Sequence, residues 1–245
     1  MGNPITWFEM IGPDPEKKAA FYAELFGWHT QEIPEAGYFL VDTHGGGGIN
    51  GGIGSLPEED PYATFYVEAT DPQPVLDRAE ELGAKVVMPV TETPFVTYGR
   101  FADPDGLQIG VVKAADPSGE QPPGPSAGEG APVDWFEVLG SDAGATQKFY
   151  TELFGWTVDE SGFPGYRLVQ GAGDGVGGGL GSGEGSRWAT VYAKVADVET
   201  ALAKSESLGG KRVYGPTDVD DHMQSGALTD PAGNVFGVYS HPEHH

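Results

Sequence analysis

The carboxylates whose surroundings could give them chemistry are Glu9, in Trp7-Phe8-Glu9-Met10, and Glu137, in Trp135-Phe136-Glu137-Val138. Alternate side chains of a strand leave by opposite faces, so apolar Phe8 and Met10 share one face and Trp7 and Glu9 share the other. An acid among aromatic rings can pair with a ligand cation, or act as a general base if burial raises its pKa toward neutral. It can equally be a structural acid, hydrogen-bonded to a neighbouring strand. The same alternation sets Tyr62, Thr64 and Tyr66 opposite Ala63, Phe65 and Val67, and sets Gln108 and Gly110 opposite Ile109 and Val111. In the second half it selects Trp188, Thr190 and Tyr192, followed by Val235, Gly237 and Tyr239. Rings of this kind stack on a flat or cationic ligand, or fill a core.

Other candidates carry less. His222, in Asp220-Asp221-His222-Met223, precedes the last strands, where an acid or base at the mouth of a site could sit; a solvated loop histidine is the plainer account. His29 and His44 have no partner at ligand spacing, and His241-Pro242-Glu243-His244-His245 reads as a frayed tail. The stretches Gly46-Gly47-Gly48-Ile49-Asn50-Gly51 and Gly173-Asp174-Gly175-Val176-Gly177-Gly178 satisfy G-x-G-x-x-G but open no helix, so the phosphate-binding geometry is missing. They are expected to be glycine-rich hairpins, placed to act as flaps. The chain has no cysteine, which removes thiol catalysis and thiolate-bound metals, and no nucleophile elbow or Ser-x-x-Lys pattern.

The elements that must position these residues come in copies. Trp7-Phe8-Glu9 returns as Trp135-Phe136-Glu137, and Phe21-Tyr22-Ala23-Glu24-Leu25-Phe26-Gly27-Trp28 returns as Phe149-Tyr150-Thr151-Glu152-Leu153-Phe154-Gly155-Trp156. Asp103-Pro104-Asp105-Gly106 is answered by Asp230-Pro231-Ala232-Gly233. This is a tandem duplication: domain 1 over 1–113, domain 2 over 133–245, and between them 114–132, rich in Pro, Gly, Ser and Glu, which reads as a solvated linker. In the first copy Asp14-Pro15-Glu16 is expected to supply an N-cap, a proline at the first helical position and a first-turn acid, and the helix stops at Gly27, as its counterpart stops at Gly155. A second helix runs from about Asp71 to Gly83, and its counterpart from Asp197 to Gly209. Alternating runs at Tyr38–Asp42, Tyr62–Val67 and Leu107–Val112 predict strands, so each half reads βαβββ-βαβββ.

The 245 residues carry 37 acids and 13 bases, a formal charge of −24. Both halves are negative, with 18 acids against 6 bases over 1–113 and 16 against 7 over 133–245. Such a surface repels a phosphate backbone, so no nucleic-acid partner is expected, and the field favours cationic ligands. The N-terminus lacks the basic and apolar regions of a signal peptide and no run is long enough to span a bilayer, so a cytoplasmic protein with no membrane partner is expected.

The module order, with Phe-Tyr-x-x-Leu-Phe-Gly-Trp on the first helix and Asp-Pro-Asp-Gly before the last strand, resembles the vicinal oxygen chelate superfamily of glyoxalase I, extradiol dioxygenases and bleomycin-resistance proteins. Within it the chain is most similar to two-domain actinobacterial glyoxalase-like proteins often labelled hydroxylases. The resemblance implies an α+β fold of four modules, with curved mixed sheets forming one cup per half and the two domains packed as an internal pseudo-dimer. Metal-dependent members place a His or Glu on the first strand, a His or Gln on the fifth and a Glu on the last. The matching positions are Trp7, Tyr62 or Thr64, and Gly110, then Trp135, Trp188 or Thr190, and Gly237. No convergent donor set results, so no metal and no cofactor are expected.

The expectation is therefore a small-molecule-binding protein that takes an aromatic or cationic ligand against Trp7, Tyr62, Thr64, Tyr66 and Gln108 in the first half. Trp135, Trp188, Thr190, Tyr192 and His222 serve in the second, with Glu9 and Glu137 as counter-ions. The alternative is a glyoxalase-like hydroxylase, lyase or dioxygenase that uses Glu9 or Glu137 as acid or base.

Overall fold

The computed structural model describes residues 2–34, 36–56, 60–115, 124–159, 164–170, 175–183 and 185–241. In the first half, β1 (Ile5–Ile11), α1 (Pro15–Phe26), β2 (His29–Ile33), β3 (Tyr38–Asp42) and β4 (Asn50–Gly54) form one module. β5 (Tyr62–Ala69), α2 (Pro72–Glu81), β6 (Lys85–Glu92), β7 (Thr97–Ala102) and β8 (Gln108–Lys113) form the next. The second half repeats them as β9 (Val133–Gly140), α3 (Ala143–Phe154), β10 (Thr157–Asp159), β11 (Tyr166–Gln170) and β12 (Gly177–Ser182), then β13 (Trp188–Lys194), α4 (Val198–Ser207), β14 (Lys211–Asp218), β15 (Gln224–Thr229) and β16 (Val235–Ser240). Each half builds one open eight-stranded mixed sheet, in the orders β2-β3-β4-β1-β5-β8-β7-β6 and β10-β11-β12-β9-β13-β16-β15-β14. The α+β architecture of tandem βαβββ modules is therefore as the sequence indicates. Among the described residues no helix is long and apolar enough to cross a membrane.

The compact units cut across the halves. One comprises 1–7, 64–123 and 136–189; the other comprises 8–63, 124–135 and 190–245. The second unit gathers Phe8, Tyr22, Phe26 and Trp28 of the first half around Phe236 of the second, with ring centroids 5.3–6.4 Å from that of Phe236. In the first unit Phe65 lies 5.1 Å from Phe136, and Phe101 lies 6.0 Å from Phe149 and 6.4 Å from Phe154. These rings are buried, and aromatic pairs at such separations add to what area burial alone contributes.

The repeated motifs acquire their physical meaning inside these units. Gly27 and Gly155 end their helices at φ 73° and 66°, a left-handed turn that glycine adopts without penalty. The turn folds Trp28 and Trp156 back onto Tyr22 and Tyr150 in near-parallel stacks. Trp28 Nε1 donates to the Ala131 carbonyl at 2.8 Å, and Trp156 Nε1 donates to the Asn3 carbonyl at 2.7 Å. Tyr22 donates to Asp230 at 3.2 Å, and Tyr150 donates to Asp103 at 2.9 Å, so the helix motif of one half is bonded to the Asp-Pro-x-Gly turn of the other. Asp230 Oδ1 also takes the amides of Ala232, Gly233 and Asn234; Asp103 Oδ1 takes those of Asp105 and Leu107. Burial pushes the Asp103 carboxyl up, and burial beside the aspartates pushes both tyrosine hydroxyls well above their ordinary range.

Two local expectations change. Asp14 is not a side-chain cap: it sits at φ 51° and pairs with Lys17 at 3.0 Å instead. The linker is only partly solvated, because Gly46 N donates to Ser126 O, Gly130 N to His44 O and Ala131 N to Phe26 O, tying 126–131 to its unit; 116–123 lie outside the described residues. The glycine-rich stretches belong to hairpins as expected, Gly46, Gly47 and Gly48 lying in the bend between antiparallel β3 and β4, and the glycines run on into the second strand of each hairpin. Gly51, Gly52 and Gly54 lie in β4, and Gly177, Gly178, Gly179 and Gly181 lie in β12; Gly173 and Asp174 fall outside the described residues.

Those glycines make room for rings. A Cβ on Gly51 would overlap the Phe8 ring, and one on Gly52 the Tyr38 phenol; Gly178 and Phe136, and Gly179 and Tyr166, repeat the arrangement. Gly110 and Gly237 lie in the same way against the rings of Tyr66 and Tyr192. Gly51→Ala is expected to destabilise the protein by about 1–3 kcal/mol, the cost of overpacking a close-packed core, measured as a fall in urea midpoint at unchanged slope.

Lys18 is a further difference between the halves, its counterpart being Thr146. It is 1% exposed, and its ammonium donates to the carbonyls of Met10 (3.2 Å), Gly12 (3.0 Å) and Gly54 (2.9 Å), tying the ends of β1 and β4 together. Burial pulls its pKa down from 10.5 to about 8, against the opposing pull of Asp230 and Asp14. Between those two values the unfolded chain holds a proton that the folded protein has released, so this group's contribution to stability rises with pH across that window. Urea denaturation from pH 7.5 to 10.5 is expected to show the wild type gaining stability relative to Lys18→Met as pH rises. Parallel curves would contradict the assignment.

Candidate functional site

The acid-bearing faces lie on the sheets opposite the apolar rows. Phe8 and Met10 are fully buried while Trp7 and Glu9 are partly exposed; Phe136 and Val138 are fully buried while Trp135 keeps some exposure and Glu137 is 9% exposed. In the second unit Tyr38 OH donates to Glu9 Oε1 at 2.7 Å, and the Tyr38 ring reaches the acid because Gly52 gives it room. In the first unit Trp188 Nε1 donates to Glu137 Oε2 at 2.8 Å. Each carboxylate thus accepts a hydrogen bond from an aromatic side chain, a phenol in one half and an indole in the other.

The remaining candidates divide by unit. In the first, Tyr66 lies over Gly110 and meets Tyr98 edge-on at 6.0 Å. Thr64 Oγ1 donates to the Gln108 carbonyl at 2.7 Å, and Arg100 Nη1 donates to Gln108 Oε1 at 3.2 Å. In the second, Tyr192 OH lies 3.3 Å from Tyr214 OH, which donates to Ser225 Oγ at 3.4 Å. Thr190 Oγ1 donates to the Val235 carbonyl at 2.7 Å, and Tyr239 OH donates to Asp134 at 2.8 Å. Burial pushes the Asp134 carboxyl up, and burial beside Asp134 holds the Tyr239 phenol above its usual range. Tyr62 is half-buried. His222 is exposed in the β14–β15 turn, where its amide and that of Met223 donate to the Asp220 carboxylate.

The structure therefore brings together Glu137 with Trp188, and Thr64 with the Gln108 backbone, while His222 is exposed in the turn between β14 and β15. Thr64 and Thr190 commit their hydroxyls to a neighbouring strand. Strand alternation alone did not single out Tyr38, Arg100 or Tyr214. Tyr38 had a signal, its recurrence as Tyr166 with glycines at Gly52 and Gly179, and Arg100 had another, its place two residues after Tyr98 on one strand.

The positions that hold metal in metal-dependent relatives do not fit one here. Gly110 and Gly237 offer no donor and are covered by tyrosine rings, and both threonine hydroxyls are engaged. Among the described residues no three His, Cys, Asp or Glu side chains converge. Two open pockets of about 140 and 320 Å³ lie beside α1, each lined in part by Lys17 and Pro231, and neither acid is in their lining.

Two repeats of βαβββ pairs on open mixed sheets, each with an acid set among aromatics, define a tandem protein of the vicinal oxygen chelate type. The chain belongs to the glyoxalase-like domain family, which it matches over residues 9–112 and again over 137–239. It is 26% identical to the Mycobacterium bovis protein "Putative glyoxylase CFP32", over 97% of this chain and 94% of that protein. It is 32% identical to the Streptomyces peucetius "Anthracycline biosynthesis protein DnrV" over 45% of this chain and 46% of that one. Its fold is shared with a Mn(II)-bound glyoxalase from Novosphingobium aromaticivorans, with TM-score 0.68, 16% identity and coverage of 99% of this chain and 83% of that one. It is shared also with the 2,3-dioxygenase LapB from Pseudomonas sp. KL28, with TM-score 0.64, 15% identity and coverage of 99% and 95%.

The ring-over-glycine fit makes a direct prediction for metal affinity. Gly110→Glu restores the carboxylate position of metal-dependent relatives, yet its side chain must first displace the Tyr66 ring. Isothermal titration with Mn(II) is expected to show no new site, and a melting temperature lowered by several degrees. A stoichiometric Mn(II) site in the variant would contradict this reading.

Proposed function

We propose that the protein binds a flat aromatic small molecule without a metal ion, using the faces that carry Glu9 and Glu137 as counter-ions for a cationic group on the ligand. The observation that carries the reading is that each acid accepts a hydrogen bond from an aromatic side chain, Tyr38 or Trp188, so that a ring and a carboxylate stand side by side. A stacked ring and an adjacent carboxylate are what a flat, cation-bearing molecule requires. The similarity to a protein named for anthracycline biosynthesis supports the aromatic class, and the net charge of −24 supports attraction of cations.

The test is a titration with an anthracycline carrying its amino sugar and with the neutral aglycone, followed by tryptophan fluorescence. Both are expected to quench. Glu137→Gln keeps an acceptor for Trp188 and removes the charge, so it is expected to weaken the amino-sugar compound by about 1–3 kcal/mol and leave the aglycone nearly unchanged. Glu9→Gln is expected to do the same in the first half. Absence of binding by either compound would sink the proposal.

Acid–base catalysis by Glu9 or Glu137 is the second reading, favoured by the near full-length similarity to a protein named as a glyoxylase. It predicts that the same substitutions leave affinity intact and cut turnover by about 10²–10⁴-fold.

A further inference from the structure

The bend after β3 gathers a histidine and an aspartate around one serine hydroxyl, all three residues within the second unit. His44 Nδ1 lies 2.5 Å from Ser126 Oγ. Asp42 Oδ1 accepts the amides of His44 at 2.9 Å and of Ser126 at 3.0 Å, and the Ser126 hydroxyl also hydrogen-bonds the Asp42 carboxylate. The hydroxyl thus has two proton acceptors beside it. Two contacts fix the imidazole. The His29 ring stacks on it, with centroids 4.2 Å apart and planes 22° from parallel, and Gly128 lies so close that a Cβ there would overlap the ring.

The scaffold does without this group in its other half. Where β2 and β3 pair His29 with Asp42, β10 and β11 pair Thr157 with Gln170. The backbone is also bent to make it. His44 sits at φ 52°, in the left-handed region that a residue with a side chain seldom adopts, and it is held there by Asp42 and by Gly130 N, which donates to the His44 carbonyl. Two near-parallel imidazoles do not aim their in-plane lone pairs at one ion, so the arrangement does not fit a metal. A hydroxyl beside a base is instead the arrangement of an activated nucleophile. Ser126 is exposed, as are Gly46, Gly47 and Gly48 of the bend whose Gly46 amide donates to the Ser126 carbonyl, so a reactant reaches the hydroxyl from solvent.

We infer that Ser126 is a nucleophile served by His44 as general base, and that it takes an acyl group from an activated carboxylic ester. With the ring proton on Nε2, His44 Nδ1 accepts the hydroxyl proton as Oγ bonds to the ester carbonyl carbon. The tetrahedral adduct then collapses: the bond from that carbon to the alcohol or phenol oxygen breaks, and the proton passes from Nδ1 to the departing oxygen. The products are O-acyl-Ser126 and the free alcohol or phenol. Asp42 stabilises the imidazolium formed between the two steps, its carboxylate interacting with the His44 charge. None of these residues serves in the ligand-binding reading above, so the two stand or fall separately.

The probe is p-nitrophenyl acetate, incubated with the full chain, with Ser126→Ala and with His44→Asn, and acetyl groups are located by peptide mass mapping. Asparagine accepts the left-handed backbone and can hydrogen-bond Ser126, but it cannot take the proton. In the wild type Ser126 is expected to be acetylated at least about tenfold faster than any other serine or threonine, the low end of what general base catalysis supplies. His44→Asn is expected to remove that advantage, and Ser126→Ala to leave residues 124–131 without acetyl. A slower wild-type reaction in D₂O is expected as well, because a proton moves in the step, and this needs no substitution. Acetylation of Ser126 no faster than that of other hydroxyls, acetyl on His29 or His44 in place of Ser126, an equal rate in D₂O, or an undiminished rate in His44→Asn would overturn the assignment.

Discussion

A ring lying over a glycine of the adjacent strand is the constraint from which most of this structure follows. Three such fits occur in each half: Phe8 on Gly51, Tyr38 on Gly52 and Tyr66 on Gly110, repeated as Phe136 on Gly178, Tyr166 on Gly179 and Tyr192 on Gly237. Their effects differ by face. On the apolar face the glycine lets a phenylalanine reach the shared aromatic core; on the other it lets a tyrosine lie close to the sheet, and Tyr38 thereby reaches Glu9. At Gly110 and Gly237 the same fit occupies the position from which a last-strand carboxylate would extend toward a metal. Packing and chemistry are consequently linked: the tyrosine ring fills the space that a side chain at the glycine would need.

The second organising interaction is the bond between each helix tyrosine and the aspartate of the other half. Asp230 accepts hydrogen bonds from three backbone amides, from Asn234 Nδ2 and from Tyr22, and so fixes the turn before β16 while tying α1 to it. Asp103 and Tyr150 repeat the arrangement with fewer donors. A buried carboxylate is tolerated because its acceptors are occupied. The two most conspicuous sequence motifs are, in this sense, the two ends of one hydrogen bond.

Much of this was legible in the residues. Asp71 and Asp197 open their helices, Gly27 and Gly155 end theirs, and the alternation of Phe8 and Met10 with Trp7 and Glu9 separates a buried row from a partly exposed one. What was not legible depends on neighbours distant in sequence. Nothing within β4 says that Gly52 faces a phenol, because Tyr38 comes from another strand. The buried lysine reads as solvated helix surface until the three carbonyls around it are known. The compact units begin and end inside strands, at Trp7/Phe8 and Ala63/Thr64, where the sequence runs on without any turn signal.

This account makes the halves similar in scaffold, with an acid that accepts a hydrogen bond from an aromatic side chain in each. Its central claim is that rings and glycines have taken the place of the metal-binding positions. Elemental analysis of protein truncated before His241 and incubated with Mn(II), Fe(II) and Zn(II) before desalting tests this most directly. The account predicts far less than one equivalent of any metal per chain. One or two equivalents, lost on substitution of Glu9 or Glu137, would contradict it.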